Sequence, residues 1–219
     1  PNDLPTDMII EQVRSDIAKK YGIAWYKRLF FFLLRHRKTM DFLSKLGWVF
    51  QTCALKLDSA KQSALPRFSL PIVKKGRVLP YADKRSFLNK YPENIPAINK
   101  SIEENKKGKV AIFIGCMSNY TYTNTGDSLV KILKKLNLDI TIPKKQLCCG
   151  APAYFTGAFD TVDYLVKENI KYFETWIDEV DAVIIPEATC SAMINKDWEH
   201  YLHDQPEWKE RYVKLSKKI

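Results

Sequence analysis

Four of the five cysteines stand just behind apolar runs of strand length, and that placement limits the fold more than any other feature. Lys109-Val110-Ala111-Ile112-Phe113-Ile114 ends in Gly115-Cys116. Leu138–Ile142 is followed by Leu147-Cys148-Cys149-Gly150, and Asp181–Pro186 is followed by Cys190. The first and third are short apolar runs that predict buried strands, and Leu138–Ile142 reads as a second strand between them. Between them, Leu129, Val130, Leu133 and Leu136 recur at helical spacing, as do Val162, Leu165, Val166, Ile170, Phe173 and Ile177. Alternating strands and helices predict an α/β fold: a Rossmann-like parallel sheet of three or more strands flanked by helices. In such a sheet, loops and helix amino termini converge at the carboxyl ends of the strands, where ligands bind. Cys116, Cys148, Cys149 and Cys190 are therefore expected to meet there.

Four thiolates at one point suit a soft metal, either zinc or an iron–sulfur cluster. Nearby helix amino termini would favour the thiolate forms and donate N–H groups to sulfur. Gly150 would let the backbone pass close to a bulky inorganic group, and Pro152 would stiffen the turn beyond it. No Cys-x-x-Cys pair occurs, so the usual zinc-ribbon and ferredoxin spacings are absent. Simple burial of free cysteines is the competing explanation.

Composition narrows the class. Hydrophobic residues make up 46% and charged residues 27%, which are globular values. The odd cysteine count argues against a disulfide framework and for a reducing, cytoplasmic setting. The longest apolar cluster, Leu29–Leu34, falls far short of the roughly 20 residues that span a bilayer. A formal charge of +10 suits an acidic protein, an anionic membrane surface or a nucleic acid. No helix-turn-helix, RNA-binding aromatic motif or zinc finger is present, so no nucleic-acid partner is expected. The chain starts at Pro1 without an initiator Met and is expected to be part of a longer polypeptide.

Three regions separate. Residues 1–64 read as helical, with a helix start at Asp3-Leu4-Pro5-Thr6-Asp7, apolar residues from Ile9 to Tyr21, and a second helical pattern from Ala24 to Lys56. Residues 65–108, with Pro66, Pro71, Pro80, Pro92 and Pro96, read as an extended linker. It is expected to lie on a surface that buries Phe68, Leu70, Val78, Leu79, Tyr81 and Phe87. Residues 109–219 read as the cysteine-bearing α/β domain with a basic helical tail.

Phe113-Ile114-Gly115-Cys116-Met117, Cys148-Cys149-Gly150-Ala151-Pro152 and Thr189-Cys190-Ser191-Ala192-Met193 together resemble the cysteine-rich CCG domain of iron–sulfur oxidoreductase subunits. The family includes the glycolate oxidase iron–sulfur subunit and lactate-utilisation iron–sulfur proteins. It also includes the CCG-bearing subunits of anaerobic glycerol-3-phosphate dehydrogenase and heterodisulfide reductase. Leu65-Pro66-Arg67-Phe68-Ser69-Leu70-Pro71 and Arg85-Ser86-Phe87 resemble its glycolate-oxidase-type linker. The resemblance implies that Cys116, Cys148, Cys149 and Cys190 bind an iron–sulfur cluster, of 4Fe-4S type. It implies a ferredoxin domain before Pro1; many members carry a second copy of the motif, which this chain lacks and which would belong to a second half if the whole protein continues past Ile219. It also implies a flavoprotein dehydrogenase partner, carrying FAD, that oxidises a 2-hydroxy acid such as glycolate or lactate. The electrons would pass to a quinone or other acceptor, in the cytoplasm or peripherally on the inner face of the membrane.

The fullest form of the motif ends in Cys-x-x-Cys, and here Met193 holds the last place. Two alternatives stand beside the electron-transfer reading: a heterodisulfide-reductase-like subunit with a catalytic cluster, and a structural zinc-binding module. Cys53, among Phe50, Ala54 and Leu55, is expected in the core, and Met117 and Met193 are expected to pack. His36, His200 and His203 read as solvated or capping residues, and Glu187 as a surface or capping residue. Phe30–Phe32, between basic residues, fits a buried helix face as well as a lipid or subunit contact.

Overall fold

The computed structural model describes residues 6–59, 62–69, 73–97 and 108–219. The expected helix start at Asp3–Pro5, the segment Leu70-Pro71-Ile72 and the basic pair Lys106-Lys107 lie outside the described residues.

Helices α1 (Thr6–Tyr21), α2 (Trp25–Arg35) and α3 (Arg37–Ala54) come first, followed by an antiparallel pair, β1 (Leu55–Asp58) and β2 (Ser63–Pro66). The pattern from Ala24 to Lys56 is thus broken in two, and its end is a strand. The break is His36, whose φ of −115° and ψ of 74° leave the helical region. Its ring Nδ1 lies 2.8 Å from the Phe32 carbonyl at the end of α2.

A short helix α4 (Phe87–Lys90) and a two-residue strand β3 (Asn94–Ile95) precede the main unit. That unit contains β4 (Lys109–Ile112), α5 (Cys116–Tyr120), α6 (Thr123–Lys135), β5 (Asp139–Thr141), α7 (Ala151–Tyr154), α8 (Phe159–Phe173) and β6 (Ala182–Ile184). It continues through α9 (Ala188–Ala192), a π turn at Met193–Asp197, α10 (Trp198–Tyr201) and α11 (Pro206–Ser216). The strand order is β3-β5-β4-β6. β4 pairs in parallel with both β5 and β6, while β3 runs antiparallel on the outer edge of β5. The sheet is therefore mixed.

The apolar run of β4 works by alternation, since successive strand side chains face opposite sides. Val110, Ile112 and Ile114 pack with Ile140, Ile142, Phe87, Leu88, Val130 and Leu133 on one face. Ala111 and Phe113 pack on the other with Val162, Leu165, Val166, Ile170 and Phe173 of α8. Phe113 meets Phe173 edge to face at 5.7 Å. Both faces are covered, so β4 reads as continuously apolar rather than alternating. Each such fully buried side chain contributes about 1.5–3 kcal/mol of transfer free energy.

The N-terminal helices are turned the opposite way. In α1, Ser15 and Glu11 are buried while Ile9, Ile10, Val13, Ile17 and Tyr21 are exposed. The cause is a backbone contact: a Cβ on Gly157 would lie 2.6 Å from the Ser15 nitrogen, so α1 can dock there only through its small polar face. In α3, Phe42, Leu43, Leu46, Val49 and Phe50 are exposed. The face toward the body is held by hydrogen bonds instead. Gln51 exchanges two with the main chain of Ala82, at 3.0 and 2.9 Å, and Asp41 accepts one from the Tyr120 hydroxyl at 2.7 Å. Cys53 is exposed and not in the core, because it shares this outward stripe. In α2 only Phe31 and Leu34 are buried, and Phe30 and Phe32 are exposed. Phe68 and Val78, expected to be buried, are exposed too, whereas Phe87 is fully enclosed.

Candidate metal centre

The three strand tips converge. Cys116 opens α5 directly after β4, Cys148 and Cys149 end the loop after β5, and Cys190 lies in α9 after β6. Cys148, Cys149 and Cys190 are buried and Cys116 is half-buried; all four are free thiols. The sulfurs of Cys149 and Cys190 lie 3.2 Å apart. Cys148 shares side-chain hydrogen bonds with both Cys116 and Cys149. The four sulfurs therefore form one continuous chain of contacts, Cys116–Cys148–Cys149–Cys190. Among the described residues no group of three or more His, Cys, Asp or Glu side chains is closed around a point fit for a metal ion.

The direction in which each thiol is shifted alternates along that chain. Hydrogen bonds from Cys148 and then Cys190 hold Cys149 well below the usual thiol range, against the effect of burial. The hydrogen bond from Cys148 likewise lowers Cys116. Cys148 is pushed well up by its hydrogen bonds to Cys116 and Cys149 and then by burial, and Cys190 by its bond to Cys149 and then by burial. Donating and accepting sulfurs thus alternate along the chain, so ionisation of one thiol opposes ionisation of the next.

Local backbone chemistry sets this geometry. Gly115, at φ 75°, turns the chain from β4 into α5. A Cβ there would stand 2.9 Å from the Cys190 sulfur and 3.0 Å from Glu187 Cγ, so only glycine lets the tips of β4 and β6 meet. The main-chain N–H of Gly150 points at the Cys148 sulfur, 3.5 Å away. Glu187 stands at the N-cap position of α9 but makes no side-chain capping bond; half-buried, its carboxylate accepts a hydrogen bond from the Ser118 hydroxyl instead. Met193 is fully buried beside Gly150. Met117 is exposed, and His200 and His203 lie on the surface, His203 beside Asp204.

Several buried polar residues that hold the thiols escaped the sequence analysis. Asn169, fully buried in α8, accepts from the Leu147 N–H and donates to the Cys148 carbonyl, both at 2.9 Å. Trp198 donates to the Cys149 carbonyl at 2.9 Å. Gln146 accepts from the Ile114 N–H and donates to the carbonyls of Ile112 and Pro143, tying the β5 loop to β4. The available signal was Asn169 itself, an amide inside the apolar stripe of α8; such a group is stable there only when hydrogen-bonded.

The donor set fits an iron–sulfur group. It supplies four soft sulfurs from three separate strand ends, in a largely dry environment, with main-chain N–H groups at hand.

Comparison with known proteins places the same segment in a class. The cysteine-rich CCG domain matches residues 110–195, bearing out the resemblance carried by the three cysteine segments. The "Probable glycolate oxidase iron-sulfur subunit" of Bacillus subtilis (strain 168) is 29% identical over 224 residues, covering 100% of this chain and 49% of that protein. "Lactate utilization protein A" of Geobacillus thermodenitrificans (strain NG80-2) is 34% identical over 110 residues, 50% of this chain and 44% of the relative. Its counterpart in Geobacillus kaustophilus (strain HTA426) is 32% identical over 110 residues. The chain spans about half the length of the curated relatives it matches. No solved structure matches it significantly.

Proposed function

We propose that this chain is the electron-carrying part of an oxidoreductase, with Cys116, Cys148, Cys149 and Cys190 holding a 4Fe-4S cluster. The supporting observation is the single chain of sulfur contacts built from three strand tips. When bound, such a group supplies one-electron transfer at a potential set by its surroundings. The protein's own part is positional. Asn169, Trp198 and Gln146 fix the main chain that carries Cys148 and Cys149, and the apolar packing of α8 and α10 keeps water from three of the four sulfurs. Cys116, half-buried, is the sulfur nearest solvent and the natural point of electron exchange.

The names of the relatives support a hydroxy-acid oxidoreductase as the setting, in which a flavoprotein subunit carrying FAD oxidises glycolate or lactate and this chain relays the electrons to a quinone or other acceptor. We read residues 109–219 as the cysteine-rich unit with a Rossmann-like sheet, residues 65–108 as its linker, and residues 1–64 as helices that follow a ferredoxin domain. The cytoplasm, or the inner face of the membrane, is the proposed place of work. Among the described residues no helix is long and apolar enough to cross a membrane.

The test is iron and acid-labile sulfide analysis of protein purified without air. Iron and sulfide in equal amounts, with visible absorption lost in Cys149→Ser, are the expected result. Stoichiometric zinc without sulfide would reject the cluster and favour the structural module.

A further inference from the structure

The corner between α2 and α3, the Asn89–Tyr91 segment and the loop Lys144–Leu147 enclose a cleft of about 780 Å³. That is the size of a small-molecule site. Its charge is one-sided. Arg35, Arg37, Lys38, Lys144 and Lys145 line it, and Asp41 is the one carboxylate among its lining residues. Asp41 is already engaged by Arg37 Nε at 3.2 Å and the Tyr120 hydroxyl at 2.7 Å.

The cations divide into two groups. Arg37 and Lys144 build the wall: Arg37 donates to the carbonyls of Lys144 and Gln146, and Lys144 donates to those of Leu88 and Tyr91. Burial holds the Lys144 ammonium below its ordinary value, with Glu93, outside the lining, opposing that shift and Arg37 adding to it. Arg35, Lys38 and Lys145 have no ion-pair partner among the described residues. The Arg35 guanidinium stacks over the Tyr164 ring at 4.3 Å, and its Nε is buried without a hydrogen-bond acceptor. Unpaired cations gathered in a concave space repel one another, and an anion that enters removes the repulsion and satisfies their N–H groups.

We propose that this cleft binds a small multivalent oxyanion, either a polycarboxylate or a phosphate ester. Guanidinium groups suit the paired oxygens of both, and the pinned wall is formed before the ligand arrives. None of the four cysteines lines the cleft. It is adjacent to the thiols, because Arg37, Leu88 and Leu147 line both this cleft and the crevice beside Cys116 and Cys148.

The test uses metal-free protein and two probes, citrate and pyrophosphate, against acetate and chloride at matched ionic strength. A ligand that binds only the folded state raises Tm. The expected result is saturable binding by calorimetry and a rise in Tm with at least one probe. Citrate alone assigns a carboxylate ligand, pyrophosphate alone a phosphate ligand, and both together the shared charge chemistry. The rise should disappear in the Lys38→Glu/Lys145→Glu double variant and survive in Lys131→Glu, an exposed lysine on α6 that does not line the cleft. Equal shifts with acetate and chloride, no saturable binding by either probe, or binding that persists in the double variant would overturn the proposal. The cysteines are untouched throughout, so failure here leaves the iron–sulfur reading standing, and the reverse.

Discussion

The indole Nε1 of Trp198 donates to the main-chain carbonyl of Cys149 at 2.9 Å, so the residue just after the π turn holds the backbone of the central thiol. Trp198 is fully buried against Phe173 and Tyr212, with ring centroids 6.2 and 6.1 Å away. A π turn moves the following side chains around the helix, and here it aims the indole back at the sulfur loop.

Trp198→Phe keeps an aromatic ring in this space and removes the donor. The Cys149 carbonyl then loses the hydrogen bond it receives from the indole inside the core, at a cost of about 1–3 kcal/mol. Urea unfolding should show that loss, and iron retained after air exposure should fall. Unchanged stability and unchanged retention would mean that the indole serves only as filling.

The exposed stripes of α1 and α3 give a second prediction. Phe42 and Phe50 have two-thirds or nearly so of their surface in solvent. Phe42→Asn and Phe50→Asn should each change folding stability by less than about 0.5 kcal/mol, as surface substitutions do. Core phenylalanines would lose about 3–5 kcal/mol. Denaturant midpoints separate the two outcomes, and a core-sized loss would contradict the orientation of α3.

The same helices show what the sequence left open. Periodicity marked an apolar stripe on each, but a stripe does not say which side meets the body. In α3 that was decided by the bond Gln51 donates to the Ala82 carbonyl and the one Asp41 accepts from the Tyr120 hydroxyl, 31 and 79 residues away, which no local pattern contains. The break at His36 was hidden because apolar spacing runs on through it. The hairpin of β1 and β2 was hidden because helical signal reached Lys56. By contrast, β4 and β6 were legible as short apolar runs, and β5 from its alternating Leu138, Ile140 and Ile142. The meeting of the cysteines followed from strand order alone. The hydrogen-bonding residues around them, Asn169, Gln146 and Trp198, became visible only when the fold closed.

Acid stability gives a third prediction. Arg211 makes two charge-assisted hydrogen bonds to Glu174, 2.7 and 2.6 Å long, tying α11 to the residue just beyond α8. Those bonds hold the Glu174 carboxyl below its ordinary value, against the opposing effect of burial. A carboxylate depressed in the folded state adds stability that is fully present above its unfolded value and is lost as pH falls through the folded one. The stability difference between the parent and Glu174→Gln should therefore be complete at neutral pH. It should shrink below about pH 4.3 and vanish under the depressed value. For a pair this exposed it is about 1 kcal/mol or less. Urea midpoints measured from pH 7 to 3 check it, and a difference independent of pH would assign the contact to packing.

Gly115 is where backbone and sulfur chemistry meet. An alanine there must adopt φ 75° and put its Cβ 2.9 Å from the Cys190 sulfur. With ψ at 164° this is a backbone region almost reserved for glycine, and an alanine there costs about 1–3 kcal/mol by itself. The close contact adds a choice: the chain retains the turn and pushes Cys190 away, or it shifts β4 against β6. Either outcome pulls one thiol out of the chain of four. Gly115→Ala should thus keep most of its helical circular dichroism, lose about 1–3 kcal/mol of stability, and bind far less iron and sulfide than the parent under the same reconstitution. Gly76→Ala is the matched control: that glycine also has positive φ, 95°, but a Cβ there meets nothing within 4 Å. It should pay the strain and keep the iron. Equal loading of the parent and both variants would show that Cys190 is not needed at the centre, and would remove β6 from the site.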